Sequence, residues 1–498
     1  MSEQVYSGRT PEPAPDTVGS APGRRPRSAA TIAAVVAAVL LIVGGGVGLT
    51  AYRALSGGGS QPEKYAPASS FAFAKLDLDP AASQKLAIRR FADKFPSSPT
   101  RKGSGDLRDQ FLRSLFESDD SNKVDYDRDV KPWIGDRAAV AGFLGAGGKA
   151  QGEVILQYKD KDQAKRGLDK LAAGSNGLHY SLQDGYAVLA DGQDVVDDAV
   201  RQAARSNLGG TATYRKDVGE LTGSQVMTAW VDIERSVAAA QATGSRTNRL
   251  PPEVLDQAKG RVALGLHAGN DFLEFEGATF DTPTTPSSGT ATDMIRQLPE
   301  GTLAALAIGD AGKVVTTAFD RLRANPAFQQ IQPQLDALAR QTGLQLPGDL
   351  ATLLGRGAVF ALGSLPTGGG VPAFGVRSRP TDPGAGRKIA EQIAALARSS
   401  GGGVTVETRQ VGDDVVLAAG PGYAGRLATN GKLSETAVFR TAMGDLPGKV
   451  SAAAFFDLGA LLRNVPRDNA DVSHLRAFGM SVRQDGKTQR LRIRLLAG

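Results

Sequence analysis

The chain has no cysteine among its 498 residues, which excludes disulfides, thiolate zinc centres, iron–sulfur clusters and cysteine nucleophiles. Histidine is scarce too, with only His179, His267 and His474. A serine hydrolase needs a nucleophile, a histidine base and an orienting acid. By pattern the three fall at a strand start, near a strand end and in a connection, and no Gly-x-Ser-x-Gly elbow accompanies them. They read as structural or surface histidines.

Basic runs are also missing. Lys and Arg total 58 against 52 Asp and Glu, a net charge of +6. Residues 1–53 hold Arg9, Arg24, Arg25, Arg27 and Arg53 against Glu3, Glu12 and Asp16, a net +2 that leaves +4 spread over the remainder. Nucleic-acid binding wants such charge concentrated on one face, so none is expected. The glycine-rich stretches Gly145–Lys149 and Gly368–Gly370 lack the Gly-Lys-Ser/Thr ending of a phosphate loop. Asp125, Asp127 and Asp129 alternate as in a calcium loop, with Asp136 twelfth, but Val130 stands where that loop wants glycine. The segment reads as a solvated acidic turn. No catalytic, cofactor-binding or metal-ligating residue is assigned, and the expectation is of a protein that is not an enzyme.

What is present begins with an apolar run, Ala29 to Ala51, uncharged between Arg27 and Arg53. Roughly twenty apolar helical residues cross a bilayer core of about 30 Å, so the run predicts one membrane-spanning helix over 28–53. Arg24, Arg25 and Arg27 before it, against Arg53 after it, place the N-terminus in the cytoplasm and the C-terminal region outside. The long core and the poor Thr50–Ala54 exit favour an uncleaved anchor over a signal peptide. Gly44 and Gly48 have the spacing that lets two such helices approach, a candidate homodimer contact. The bilayer is thus one expected partner, with an envelope protein or lipid ligand as the other.

Around this run the chain divides into a disordered tail (1–27), a flexible tether (54–68), a first α+β repeat (69–281), a linker (282–292) and a second repeat (293–498). Pro11, Pro13 and Pro15 mark the tail, Gly57-Gly58-Gly59-Ser60 the tether, and the Pro/Thr/Ser run at 281–288 the linker. Phe71–Leu78 alternates as a strand, and Asp79-Pro80 supplies a helix N-cap with proline first. Leu107, Phe111, Leu112, Leu115 and Phe116 recur at helical spacing. Strands are expected at 137–144, 153–158, 186–190, 261–267 and 272–280, with a helix at 162–173; a last pair, 476–483 and 490–496, turns at Asp485-Gly486.

Thr211–Asp232 matches Thr436–Asp457 without a gap: Tyr214-Arg215 faces Phe439-Arg440, Gly219-Glu220-Leu221 faces Gly444-Asp445-Leu446, and Trp230-Val231-Asp232 faces Phe455-Phe456-Asp457. In the same order Trp133–Ala138 resembles Leu353–Ala358, Ala187–Ala190 resembles Val415–Ala418, and Phe71–Asp77 resembles Leu303–Gly309. Short turns between strands imply antiparallel pairing, so the fold class is α+β, two tandem duplicated domains with largely antiparallel sheets behind one transmembrane helix. Asp232 and Asp457 sit where a strand passes into a helix and read as caps.

The anchor, Phe71–Pro80, Gln84-Lys85-Leu86, Trp133-Ile134-Gly135-Asp136-Arg137, the Tyr/Phe-Arg blocks and Phe456-Asp457-Leu458 together resemble the domain-of-unknown-function family 3352. That resemblance implies single-anchor membrane proteins typical of actinobacteria and carries no catalytic residue. The resulting expectation is a membrane-anchored extracytoplasmic protein that acts by binding or assembly in the cell envelope. Two alternatives accompany it: a carrier or sensor of a lipid or other hydrophobic ligand held between the duplicated domains, or an enzyme whose carboxylates, such as Asp77, Asp79 or Asp136, meet in a cleft.

Overall fold

The computed structural model describes residues 61–498 except 79, 97, 99–108, 110–124, 175–176, 244–257, 283–287, 324–327, 367–370, 400–403, 447–448 and 465–470. The helix expected over 28–53, with Gly44 and Gly48, and the stripe of Leu107, Phe111, Leu112, Leu115 and Phe116 lie outside these residues. Among the described residues no helix is long and apolar enough to cross a membrane. The single-pass anchor, and the cell-membrane placement that rested on it, are therefore not supported.

Among the described residues each half contributes eight strands. In the first half they are β1 (Ser70–Asp77), β2 (Ile134–Leu144), β3 (Ala150–Tyr158), β4 (His179–Leu182), β5 (Tyr186–Ala190), β6 (Met227–Asp232), β7 (Arg261–Ala268) and β8 (Phe272–Phe280). The second half supplies β9 (Ala304–Gly309), β10 (Gly357–Ser364), β11 (Ala373–Arg379), β12 (Val406–Val411), β13 (Asp414–Ala419), β14 (Val450–Phe456), β15 (Leu475–Asp485) and β16 (Thr488–Ala497). The antiparallel sheets expected of the two repeats are continuous: all sixteen strands form one antiparallel sheet, ordered β12-β13-β11-β10-β9-β14-β15-β16-β8-β7-β6-β1-β2-β3-β5-β4. The physical reason is that β8 and β16, the last strand of each half, would otherwise be free edges, and each covers the other.

The ladder relates the halves by a pseudo-twofold axis. Trp230 faces Ala263, which faces Ala278; Phe455 faces Gly479, which faces Arg494. Ala278 and Arg494 are therefore equivalent, as are Glu274 and Arg490. At the seam Ala278 pairs with Arg490 and Glu274 with Arg494, so the axis passes through the central pair, Glu276 and Arg492.

Strand alternation gives the sheet two faces. One carries the two main cores. In the first half Phe73, Phe143, Val188 and Trp230 pack under Val195, Val196 and Ala199 of helix Gln193–Arg205 and under Tyr214. In the second, Val359, Val416 and Phe455 pack under Met294, Ile295, Leu427, Phe439 and Met443. The opposite face has smaller clusters near its ends, with Leu168 and Leu171 of helix Lys161–Gly174 over Leu156 and Leu189, and Ile389 and Ala390 of helix Pro383–Ser399 over Val415. One local expectation also changes: the helix after β1 is Ala82–Ala92 with Ala81 as N-cap and no side-chain cap, two residues beyond Pro80.

Candidate functional site: an uncovered apolar groove

The two halves treat this opposite face differently. In the first, helix Ile233–Thr243 follows β6 and lies against β1 and β3. Ser236 Oγ donates to the Phe71 carbonyl at 3.2 Å, and Ala239 packs with Phe71, Ala72 and Ala150. The sheet makes room for it with small residues: Gly142 faces Gly152 and Ala72 faces Val231 across the ladder.

In the second half the helix after β14 is the single turn Leu458–Leu461, which packs on β15. Three of the four equivalent ladder positions hold large side chains: Leu362 faces Phe374, and Phe456 faces Ala304, which matches Ala72. Similarly, Phe360 occupies the place of Val140, and Leu306 that of Ala74. Leu306 is 39%, Phe360 40%, Phe374 46% and Phe456 36% exposed. These side chains floor a groove of about 520 Å³ across β9, β10, β11, β12, β13 and β14, with Ile393 of helix Pro383–Ser399 on one wall. Every lining residue is Ala, Gly, Val, Leu, Ile or Phe. The apolar strip continues toward the seam through Phe478, whose ring stands 5.8 Å from that of Phe456, and through half-buried Met480, Ile493 and Phe275.

The space between the halves has the opposite character. On the core-bearing face Glu274, 1% exposed, pairs with Arg494, with Arg492 at 3.6 Å and with His267 Nε2 at 3.6 Å. Glu276 accepts from Thr222 N at 2.7 Å, Thr222 Oγ1 at 2.8 Å and Gln225 Nε2 at 2.7 Å. Arg490 donates to the Glu220 carbonyl at 3.0 Å, and Arg492 to the Asp445 carbonyl at 3.1 Å, so the equivalent loops of both halves roof this layer. A cavity of about 80 Å³ lies there, lined by Glu220, Glu276, Arg490 and Arg492 among others. The apolar groove itself lies within the second half.

The carboxylates weighed from sequence are held in ion pairs and caps. Asp77 pairs with Arg137 at 3.1 Å and Asp136 with Lys159 at 3.5 Å, while Asp79 lies outside the described residues. Asp232 and Asp457 each cap, accepting from Arg235 N at 3.0 Å and Ala460 N at 2.8 Å. The acidic stretch is a helical turn, Tyr126–Val130, and Asp129 is buried rather than solvated: Arg128 at 2.9 Å and Lys170 at 2.6 Å hold its carboxyl well below the usual range. His179 is exposed at the start of β4, His267 lies between Glu274 and Glu276, and His474 ends a short turn before β15. Among the described residues no three His, Asp or Glu side chains gather as a metal site would require. Sequence reasoning missed the groove. Its signal was in the repeat, where small residues of the first copy become Leu and Phe in the second and the segment after the shared aspartate is shorter.

Comparison with known proteins gives one extensive match. The family model described as a protein of unknown function, DUF3352, matches residues 31–181 and 173–454. No curated protein matches. Two solved structures of TP0453 are similar over part of the chain: crystal form III at 10% identity, covering 49% of this chain and 88% of that one with a TM-score of 0.24, and crystal form I at 9%, covering 46% and 83% with 0.22.

Proposed function

Because the chain belongs to the DUF3352 family, whose function is unknown, its role has to be read from its own geometry, and we propose that it is a binding protein whose ligand places a long alkyl chain in the groove of the second half. The observation that carries this is the pairing of an apolar floor with the absence of a covering helix among the described residues: the same fold, in its first copy, lays a helix there. A volume of about 520 Å³ lies within the roughly 300–1,000 Å³ of small-molecule sites. The groove spans six neighbouring strands, five spacings of about 4.8 Å each, the reach of a long acyl chain. With no polar or ionisable side chain in its lining, the groove selects hydrocarbon and offers no group to attack or to move a proton.

A chain-length series tests this. Burying a methylene contributes about 0.8 kcal/mol, so affinity for alkyl ligands rises roughly fourfold per added carbon until the groove is filled. Phe374→Glu, at a half-exposed position that folding tolerates, lowers affinity for the longest ligand at least tenfold. An affinity indifferent to chain length, or unaltered by Phe374→Glu, sinks the proposal.

A further inference from the structure

Resting on that reading, we infer that the alkyl ligand is anionic, with its head group bound at the sheet end by Arg463 and Arg476. The groove opens at Phe456, and the next residue, Asp457, lines a second hollow of about 760 Å³ that also takes in Lys94, Asp271, Arg463, Ser473 and Arg476. The two spaces share no lining residue but approach each other at the end of β14, where Asp457 follows Phe456, and at the start of β15, where Arg476 stands two residues before Phe478, the ring partner of Phe456.

The charges of this hollow are unequally engaged. Lys94 is held by Asp271 at 2.8 Å and the Ala497 carbonyl at 2.6 Å, and the Asp457 carboxylate caps Ala460 N at 2.8 Å. Arg463 and Arg476 are exposed and make no ion pair among the described residues. Two guanidinium groups beside an open hydrocarbon groove suit a carboxylate or phosphate, whose oxygens match their forked donors. A cationic head would meet them with repulsion. A neutral head would leave them as they are.

The experiment displaces a fluorescent fatty acid from the full chain with three ligands of one chain length, palmitate, hexadecan-1-ol and hexadecylamine, at pH 8 and below their aggregation limits. Exposed charge pairs contribute about 0.2–1 kcal/mol each, so two together make palmitate bind roughly fivefold tighter than the alcohol, with the amine weakest. Arg463→Gln with Arg476→Gln removes the preference and leaves hexadecanol binding unchanged. Both positions are exposed, so the variant folds, and unchanged hexadecanol binding reports that it has. Equal binding of palmitate and the alcohol by the unmodified chain, or a preference that survives the double substitution, overturns the head-group inference while the groove stands. Failure of all three to bind overturns the groove itself.

Discussion

Replacing Glu274 with Leu tests whether the ionic layer at the seam joins the halves. Its carboxylate is 1% exposed and faces Arg494, Arg492 and His267. Arg494 also donates to the Thr441 carbonyl at 3.1 Å and lies 4.1 Å from the Phe272 ring centroid. Removing one partner of a buried pair costs about 3–5 kcal/mol because the other charge is left uncompensated. Arg494→Met strands Glu274, which is almost fully buried, and belongs at the upper end. Glu274→Leu strands Arg494 and Arg492, whose side chains are 16% and 31% exposed, and belongs at the lower end. An apolar pair at the same place is often neutral, so the double substitution costs far less than the two singles summed. Urea unfolding of the four proteins, read as midpoint shifts at constant slope, gives a coupling of about 5 kcal/mol or more, most of the roughly 8 kcal/mol to which the singles sum. Singles that add to the double within roughly 0.5 kcal/mol would refute a seam built on these charges.

Two further predictions concern the first half. Glu153 is fully buried with neither carboxylate oxygen hydrogen-bonded, and burial pushes its carboxyl well above the ordinary 4.5. The folded chain thus keeps a proton that the unfolded chain loses, so stability is full below that ordinary value and falls as pH rises toward the folded one, by at most about 1.4 kcal/mol per unit. Glu153→Gln abolishes this fall, and thermal midpoints of the two proteins that run parallel from pH 4.5 to 8 contradict the assignment. Gly167 sits in helix Lys161–Gly174 where an added Cβ would lie 2.1 Å from Trp133 Nε1 and 2.6 Å from the Asp129 carbonyl that Trp133 binds. Gly167→Ala therefore destabilises by about 1–3 kcal/mol despite alanine's better helix propensity; a more stable variant by urea titration would show that the helix can move aside.

Much of the fold was legible because each half pairs strands close in sequence. Phe71–Leu78, Tyr186–Ala190 and the hairpin turning at Asp485-Gly486 announced themselves through alternation and turn chemistry, and in the ladder Phe73 and Ala305 occupy the equivalent places that the matching of Phe71–Asp77 with Leu303–Gly309 implied. The seam was not legible. Arg490, Arg492 and Arg494 alternate with Leu491, Ile493 and Leu495, a pattern that reads as a solvated edge, and nothing local says that Glu274 and Glu276, some 220 residues away, complete it. The groove was hidden for a related reason. Phe360 and Phe374 look like core residues, and whether they are covered is decided by the length of the helix after a different strand, β14. The start at Asp79-Pro80 was misplaced because cap signals mark a place to begin, while tertiary packing of Phe91 against Phe95, Leu273 and Ala497 sets where the helix lies.

The account turns on where an alkyl ligand sits, and photolabelling answers that most directly. A long-chain fatty acid with a diazirine on its chain, bound to the full protein and irradiated, is mapped by peptide mass spectrometry. The account predicts labels on the peptides that carry Leu306, Phe360, Phe374 and Phe456, and none on the equivalent first-half positions Ala74, Val140, Gly152 and Val231, which lie toward helix Ile233–Thr243. Labels spread evenly over both halves, or confined to the first, would contradict it.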